Sequence, residues 1–241
     1  MIKFDNVTKK YGDFTAVKNL NIEINSGEVF GFLGPNGAGK TTSIKMTVGL
    51  LSPTQGQVTV NNIDVQKEPE KAKAFIGYIP DSPYIYDKLT AWEFMALVGG
   101  LFNMTEEQVV ERSNHYFEIF NIGDWAHYRA EDYSHGMRQK VVLAASLIHE
   151  PEVIVIDEPM VGLDPQSQKV VKDVLREKAR EGRTVFMSTH TLSIAEEICD
   201  RVGIINHGNL LMVERIDELR NKLGQGNLEN LFIQLTSGKG E

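Results

Sequence analysis

Residues 29–42 read VFGFLGPNGAGKTT, and this stretch decides the fold. Its first five residues are apolar apart from one glycine, which is typical of a strand buried on both faces. Glycines recur in the residues that follow, and a helical pattern then runs from Lys40 to about Leu51, where Ser52-Pro53 stops it. The stretch therefore predicts a buried strand, a glycine-rich loop and a helix, in that order.

The loop itself fits the pattern G-x-x-x-x-G-K-[ST]. Glycines allow successive backbone N–H groups to curl around a phosphate, and the helix start adds the positive end of its dipole. Lys40 can reach the β- and γ-phosphates as a point charge, and the Thr41 hydroxyl can ligate Mg²⁺. The alternative is a glycine-rich turn that only caps a helix. The predicted phosphate-binding residues are Gly34, Pro35, Asn36, Gly37, Ala38, Gly39, Lys40 and Thr41.

Two acids follow a second apolar run, which spans residues 153–156. An apolar strand that ends in acids places charge at the carboxyl edge of a parallel sheet, where ligands of open α/β sheets bind. Asp157 suits a Mg²⁺ ligand, and Glu158 suits a general base that polarises an attacking water. Acids after a strand are often only solvated loop residues. The phosphate loop upstream is the observation that favours a catalytic role for this pair.

The remaining pattern predicts an α/β fold with a mainly parallel sheet. Further strands are predicted at residues 75–79, 153–156 and 184–188, and hairpins at residues 57–65 and 202–213. Helical periods dominate between about Thr90 and His149, which indicates a helical insertion. We therefore expect three parts: a core of residues 1–88 and 150–215, a helical subdomain of residues 89–149, and a helical tail of residues 216–241.

Composition excludes several classes of protein. The chain has 241 residues and a formal net charge of −8, which disfavours a nucleic-acid partner. The single cysteine, Cys199, cannot form an intrachain disulfide and is interpreted as a small core residue. No apolar run is long enough for a signal peptide or a membrane span, so we expect any link to a membrane to run through a partner.

Together, these motifs resemble those of the ATP-binding subunits of ABC (ATP-binding cassette) transporters, over residues 2 to 220. The resemblance rests on five features in the family's order: Tyr11, residues 34–42, Asp157-Glu158, Gly162-Leu163-Asp164-Pro165 and Ser188-Thr189-His190. It implies a P-loop NTPase core with a mainly parallel sheet, an antiparallel β subdomain and a helical insertion.

The resemblance also implies roles for individual residues. Tyr11 would stack on adenine, Thr42 would join the phosphate loop, and His190 would contact the γ-phosphate. The catalytic residues would be Glu158, His190 and Lys40. The ligands would be ATP and Mg²⁺, with Thr41, Asp157 and Asp81 at the metal.

Two positions depart from the family's pattern. The signature Leu-Ser-Gly-Gly-Gln is replaced by Tyr133-Ser134-His135-Gly136-Met137, which keeps the serine and the second glycine. Ser134 can still cap a helix, and Gly136 can still bring backbone N–H groups close to a phosphate of a second subunit. Asp81 stands where the family usually has glutamine, and an acid can hold Mg²⁺ or water but donates no hydrogen bond unless it is protonated.

Both departures resemble the ABC-2-like efflux branch, which favours export over import. The resemblance implies an ATPase that closes as a dimer against a separate membrane permease, at the cytoplasmic face of the cell membrane. Tyr84 and Tyr86 lie where the family docks its permease, although core packing would also explain them. A soluble ATPase switch and a low-turnover regulatory cassette remain alternatives. The cargo, the direction of transport and the choice between homodimer and heterodimer stay open.

Overall fold

A computed structural model describes residues 1–223 and residue 232 of the chain. Its larger sheet has six strands in the order β10-β9-β3-β8-β7-β6, in which β3 is central. The pairs β9–β3, β3–β8, β8–β7 and β7–β6 are parallel, as predicted, and β10 is antiparallel to β9. The strands are β3 (Val29–Leu33), β6 (Ile76–Ile79), β7 (Val153–Asp157), β8 (Thr184–Thr189), β9 (Arg201–Asn206) and β10 (Asn209–Arg215).

A second, antiparallel sheet has four strands in the order β2-β1-β4-β5. They are β1 (Ile2–Tyr11), β2 (Phe14–Ile24), β4 (Gln55–Val60) and β5 (Ile63–Asp64). The hairpin predicted at residues 57–65 is confirmed. Both of its turn residues, Asn61 and Asn62, have the positive φ angles that a tight two-residue turn requires. The sequence pattern did not reveal β1, because register shifts after Phe4 interrupt its alternation.

Eight α-helices are described, and they are α1 (Lys40–Thr47), α2 (Pro69–Ala74), α3 (Ala91–Leu101), α4 (Glu106–Phe120), α5 (His135–Leu147), α6 (Pro165–Arg180), α7 (Leu192–Ile198) and α8 (Ile216–Leu223). The predicted end of α1 at Leu51 was wrong, since Gly49 turns the chain with a φ of 70° just after Val48. Cys199 is buried just after α7, as expected of a core residue. None of the described helices is long and apolar enough to cross a membrane.

Helices α3, α4 and α5 fill the predicted helical stretch. Capping boxes begin two of them, Thr90 with Glu93 and Thr105 with Gln108, and these pairs satisfy backbone N–H groups at the helix starts. The division of the chain into three parts stays a prediction. Its tail is described to Leu223, where α8 ends, and at residue 232; the other tail residues lie outside the described part.

Strand β8 is buried on both faces and joins the two cores of the protein. Val185 and Met187 face the core that the helices cover, whereas Phe186 faces the core beneath the antiparallel sheet. The ring of Phe186 contacts those of Phe4 from β1 and Phe32 from β3, with centroid distances of 6.1 and 5.8 Å. Phe186 therefore holds the two sheets together where the aromatic rings meet.

We predict that Phe186→Ala lowers the free energy of unfolding by about 3–5 kcal/mol, because a cavity opens between the two sheets. Urea denaturation followed by circular dichroism measures the change. Phe14→Ala is the matched control, since its ring is 63% exposed and its loss should change stability by less than about 0.5 kcal/mol. Equal midpoints for the two variants would contradict the assigned packing.

Candidate functional site

The glycine-rich loop connects β3 to α1 and packs between one strand of each sheet. A side chain on Gly34 would place its Cβ 2.3 Å from the carbonyl oxygen of Ile205 in β9, and one on Gly39 would lie 2.6 Å from that of Ala16 in β2. Gly39 also has a φ of 112°, which side chains disfavour. These glycines are thus required by the close approach of backbone on both sides of the loop.

Lys40 is held inside this loop. Its side chain is only 6% exposed, and Nζ donates to the carbonyl oxygens of Gly34 at 2.7 Å and Pro35 at 3.2 Å. Burial lowers the pKa of Lys40, and the carboxylates of Glu158 and Asp157 act in the opposite direction. The loop therefore surrounds a buried positive charge, which attracts an anion such as a phosphate.

The predicted carboxylates follow at the end of β7. Asp157 is 1% exposed, and its Oδ1 accepts a hydrogen bond from the hydroxyl of Ser188 on the neighbouring strand. Its Oδ2 is also buried and has no hydrogen-bond partner within the described residues. A buried carboxylate oxygen without a partner is costly, and a cation satisfies it, so Asp157 fits a Mg²⁺ ligand.

Glu158 has an unusual backbone, with a φ of 54°. Its amide N–H donates to the hydroxyl oxygen of Ser188 at 3.1 Å, which helps to hold this left-handed conformation. Ser188 thus binds both acids, and it lies opposite Asp157 in the register of β7 and β8. The sequence offered one signal for it, a hydroxyl at the end of a strand parallel to the one that ends in the acids.

The carboxylate of Glu158 lies between two other predicted residues. Its Oε1 is 2.9 Å from Nδ1 of His190 and 3.9 Å from Nζ of Lys40. An ionised carboxylate only accepts hydrogen bonds, so the contact with His190 requires a proton on Nδ1. A carboxylate held in this way can accept a proton from a nearby water.

A cavity of about 320 Å³, here called the loop cavity, brings most of the predicted site together. Its predicted lining residues are Tyr11, Asn36, Gly37, Gly39, Lys40, Thr41, Thr42, Asp81 and Glu158, and Phe14 and Ala16 complete it. Asp81 therefore lies beside the phosphate loop. His190 lines an adjoining cavity of about 400 Å³ that shares Glu158. Asp157 is buried at the strand end, next to Glu158.

Tyr11 ends β1 at one side of the loop cavity, and its ring is 48% exposed. Lys9 places its Nζ 5.1 Å from the ring centroid and donates to the carbonyl oxygen of Ser52 at 2.7 Å. Phe14 pairs with Tyr11 in the register of the hairpin, so both rings lie on one face of it. Sequence reasoning missed Phe14, although its position across the Gly12 turn from Tyr11 indicates this pairing.

Ser134 and Gly136 lie outside the loop cavity, as its described lining shows. Ser134 caps α5, because its side chain accepts from the N–H of Met137 at 3.2 Å. The helix begins at His135, directly after this cap. The start of α5 therefore does not contribute to the cavity formed by the phosphate loop of its own chain.

Tyr133, which departs from the family's leucine, has a structural explanation. Its ring is buried. Its hydroxyl accepts a hydrogen bond at 3.1 Å from the N–H of Ala91, at the start of α3. The same hydroxyl donates to the carbonyl oxygen of Tyr128 at 2.8 Å. Burial raises the pKa of this hydroxyl, and the Ala91 contact partly opposes the shift. A leucine would leave both backbone groups without this partner, so the tyrosine ties α3 to the segment before α5.

Tyr84 and Tyr86 lie on an exposed segment that follows Asp81. Their rings are 69% and 53% exposed and pack edge to face, 5.6 Å between centroids. Core packing therefore does not explain them. Ion pairs link the residues that follow to the helical stretch: Asp87 contacts Arg138 of α5 at 3.0 Å, and Lys88 contacts Glu131 at 2.6 Å.

The comparisons with known proteins agree with this geometry. A family model described as ABC transporter matches residues 17–161. The linearmycin resistance ATP-binding protein LnrL of Bacillus subtilis is 35% identical over 236 residues, which cover 98% of this chain and 75% of LnrL. The ABC transporter ATP-binding protein NatA of the same organism is 32% identical, and 97% of each chain is covered.

Solved structures match over nearly the whole chain. An ATP-binding subunit of an ABC transporter has a TM-score of 0.91 at 27% identity, with 98% of this chain and 99% of that one covered. A dimeric, post-hydrolysis ATP-binding cassette bound to ADP and Pi has a TM-score of 0.82 at 27% identity, with 90% and 99% covered. The chain therefore belongs to the ABC transporter family, as an ATP-binding subunit and an ATPase whose hydrolysis of ATP is coupled to transport.

Proposed function

We propose that the loop cavity binds one Mg²⁺–ATP and that Glu158 activates the water that attacks its γ-phosphate. The observation that carries this proposal is the position of Oε1 of Glu158, between Nδ1 of His190 and the buried ammonium of Lys40. In this arrangement the acid, the histidine and the cation converge where the phosphate loop would hold a γ-phosphate. The phosphates would bind the backbone N–H groups of residues 34–42.

Lys40, Glu158 and His190 would have different roles in hydrolysis. Lys40 would neutralise charge on the β- and γ-phosphates, for which it would exchange its contacts with loop carbonyls for phosphate oxygens. Glu158 would accept the proton of the attacking water. His190 would orient that carboxylate and contact the γ-phosphate.

Mg²⁺ would be held by Thr41, Asp157 and Asp81. The unpaired, buried Oδ2 of Asp157 supports this assignment. Thr41 and Asp81 line the loop cavity, which also includes Glu158, the residue next to Asp157. The ion would supply positive charge that neutralises the phosphate oxygens during transfer. Asp81 would act only as an acceptor or ligand, unlike the glutamine usual in the family.

A second nucleotide-binding subunit would complete the site. Ser134 and Gly136 lie outside the loop cavity of their own chain, yet they form a capped helix start with free N–H groups that suits an anion. We infer that they meet the γ-phosphate bound to the partner subunit. ATP would then favour the closed dimer, and hydrolysis would remove that preference. The dimeric state of the related cassette bound to ADP and Pi supports this proposal.

A membrane permease would dock on the exposed pair Tyr84 and Tyr86. Exposed aromatic rings of this kind are enriched at protein interfaces. A movement of this segment would be transmitted to α5 through the ion pair between Asp87 and Arg138. The chain would thus sit at the cytoplasmic face of the membrane, held by its partner. The relative named for linearmycin resistance supports export as the direction of transport.

Lys40→Ala should weaken ATP binding roughly 10- to 100-fold, because a buried charge that bonds the phosphates is lost. Equilibrium binding of a fluorescent ATP analogue measures the change. Lys45→Ala is the matched control, since Lys45 lies on the same helix with an exposed side chain. Unchanged binding by Lys40→Ala would refute the assigned phosphate loop.

Glu158→Gln should keep ATP binding, slow hydrolysis by about 100-fold or more, and accumulate a dimer with ATP, because amide nitrogen and oxygen do not accept the water's proton. Phosphate release and light scattering report the two effects. Glu177→Gln, exposed on α6, should behave as the natural chain does. A variant that stays monomeric under saturating Mg²⁺–ATP would count against the proposed dimer.

Tyr11→Ala should weaken binding of ATP about tenfold while leaving binding of inorganic tripolyphosphate unchanged, since stacking on a base contributes about 1–3 kcal/mol. Phe14→Ala should show the same selectivity with a smaller loss. Isothermal titration with both ligands separates the base from the phosphates. An equal loss for the two ligands would exclude a base-stacking role.

A further inference from the structure

The ring of His135 lies directly over the backbone of Gly162. A methyl group built on Gly162 would come within 2.1 Å of Cδ2 and 2.6 Å of Nε2 of that ring, so the space a side chain would need is already filled by the histidine. The next residue, Gly136, adds to the contact, because a Cβ there would lie 3.0 Å from the carbonyl oxygen of Gly162. The start of α5 and the loop after β7 are thus packed against each other within one chain.

The loop that receives the ring joins the two acids to α6. Gly162 adopts a φ of 77°, and Asp164 caps α6 two residues later. From α6, the side-chain amide of Gln168 donates to the carbonyl oxygens of Met160 at 3.3 Å and Leu163 at 3.1 Å. The loop is therefore held by α6 through Gln168, and the exposed ring of His135 packs against it at Gly162.

We infer that His135 is a positioning residue that fixes the loop around Gly162 to the start of α5, so that both approach the second subunit as one unit. The inference rests on the proposed dimer. A glycine at position 135, as in the usual signature of the family, has no side chain with which to make this contact. The departure of this chain from that signature thus adds a connection between the Glu158 segment and the segment proposed to meet the partner's nucleotide.

The contact with Gly162 depends on the flat ring of His135. It contacts Gly162 through carbon as well as nitrogen atoms, so its shape, rather than its hydrogen bonding, makes the contact. Phenylalanine preserves this shape, whereas alanine removes it. Gly162→Ala introduces a methyl group into the space of the ring, and His135→Ala vacates that space.

The test is a double-mutant cycle in the Glu158→Gln background, with the ATP concentration at half-maximal dimer formation as readout. His135→Ala should raise this concentration about fivefold, the usual size of a lost contact, while His135→Phe should leave it nearly unchanged. Gly162→Ala should also raise it. The double variant should need no higher ATP concentration for half-maximal dimer formation than Gly162→Ala alone, since removal of the ring relieves the clash. The φ strain of Gly162→Ala is present in both backgrounds and cancels in the cycle.

Two further measurements separate positioning from other roles. Affinity for ADP under monomeric conditions should be unchanged by His135→Ala, because His135 lies outside the described lining of the loop cavity. His115→Ala, an exposed histidine of α4, is the matched control and should leave the dimerisation midpoint unchanged.

Additive effects of the two substitutions would mean that His135 acts directly on the partner's nucleotide, and they would overturn the inference. An unchanged midpoint for His135→Ala would overturn it as well. If the Glu158→Gln parent itself fails to dimerise with ATP, the proposed dimer falls and the inference falls with it, so the two failures are distinguishable.

Discussion

The site depends on the parallel register of three neighbouring strands. β3, β8 and β7 run in the same direction, so Leu33, Thr189 and Asp157 end at one edge of the sheet. Each strand then contributes a different group at that edge: the phosphate loop, the histidine and the pair of acids. Because these strands are buried on both faces, a slip of one residue would exchange the side chains of the two cores and disrupt the packing of both, so packing away from the site fixes the register.

The antiparallel sheet supplies the other side of the site. Its β2 brings the carbonyl of Ala16 against Gly39, and its hairpin carries Tyr11 and Phe14 into the loop cavity. The rings of Phe4 and Phe186 pack this sheet onto the larger one. The position of these two rings relative to the phosphate loop therefore depends on the contact between two sheets of different topology.

The sequence predicted the features that are local along the chain. The loop, the acids after β7 and the Asn61-Asn62 hairpin each combine a strand pattern with short-range turn or helix signals, and such signals can be read without knowledge of the fold. Contacts between distant segments could not be predicted in this way. Ser188 binds Asp157 across 31 positions, and His135 meets Gly162 only because α5 and the loop after β7 pack together.

The predicted end of α1 failed for a different reason. The apolar residues after Thr47 continue a helical period, but Gly49 adopts a left-handed conformation and ends the helix. A glycine just past the last helical turn is a local signal for a helix end, and here it outweighs the apolar pattern.

The left-handed backbone of Glu158 has an energetic consequence. Residues other than glycine, asparagine and aspartate are strained in this conformation, and the strain amounts to about 1–3 kcal/mol. Exchange for glycine would relieve this strain and, on the role proposed for Glu158, would remove the acid that activates the water. The strain is thus a cost in stability that the proposed catalytic role of this acid would offset.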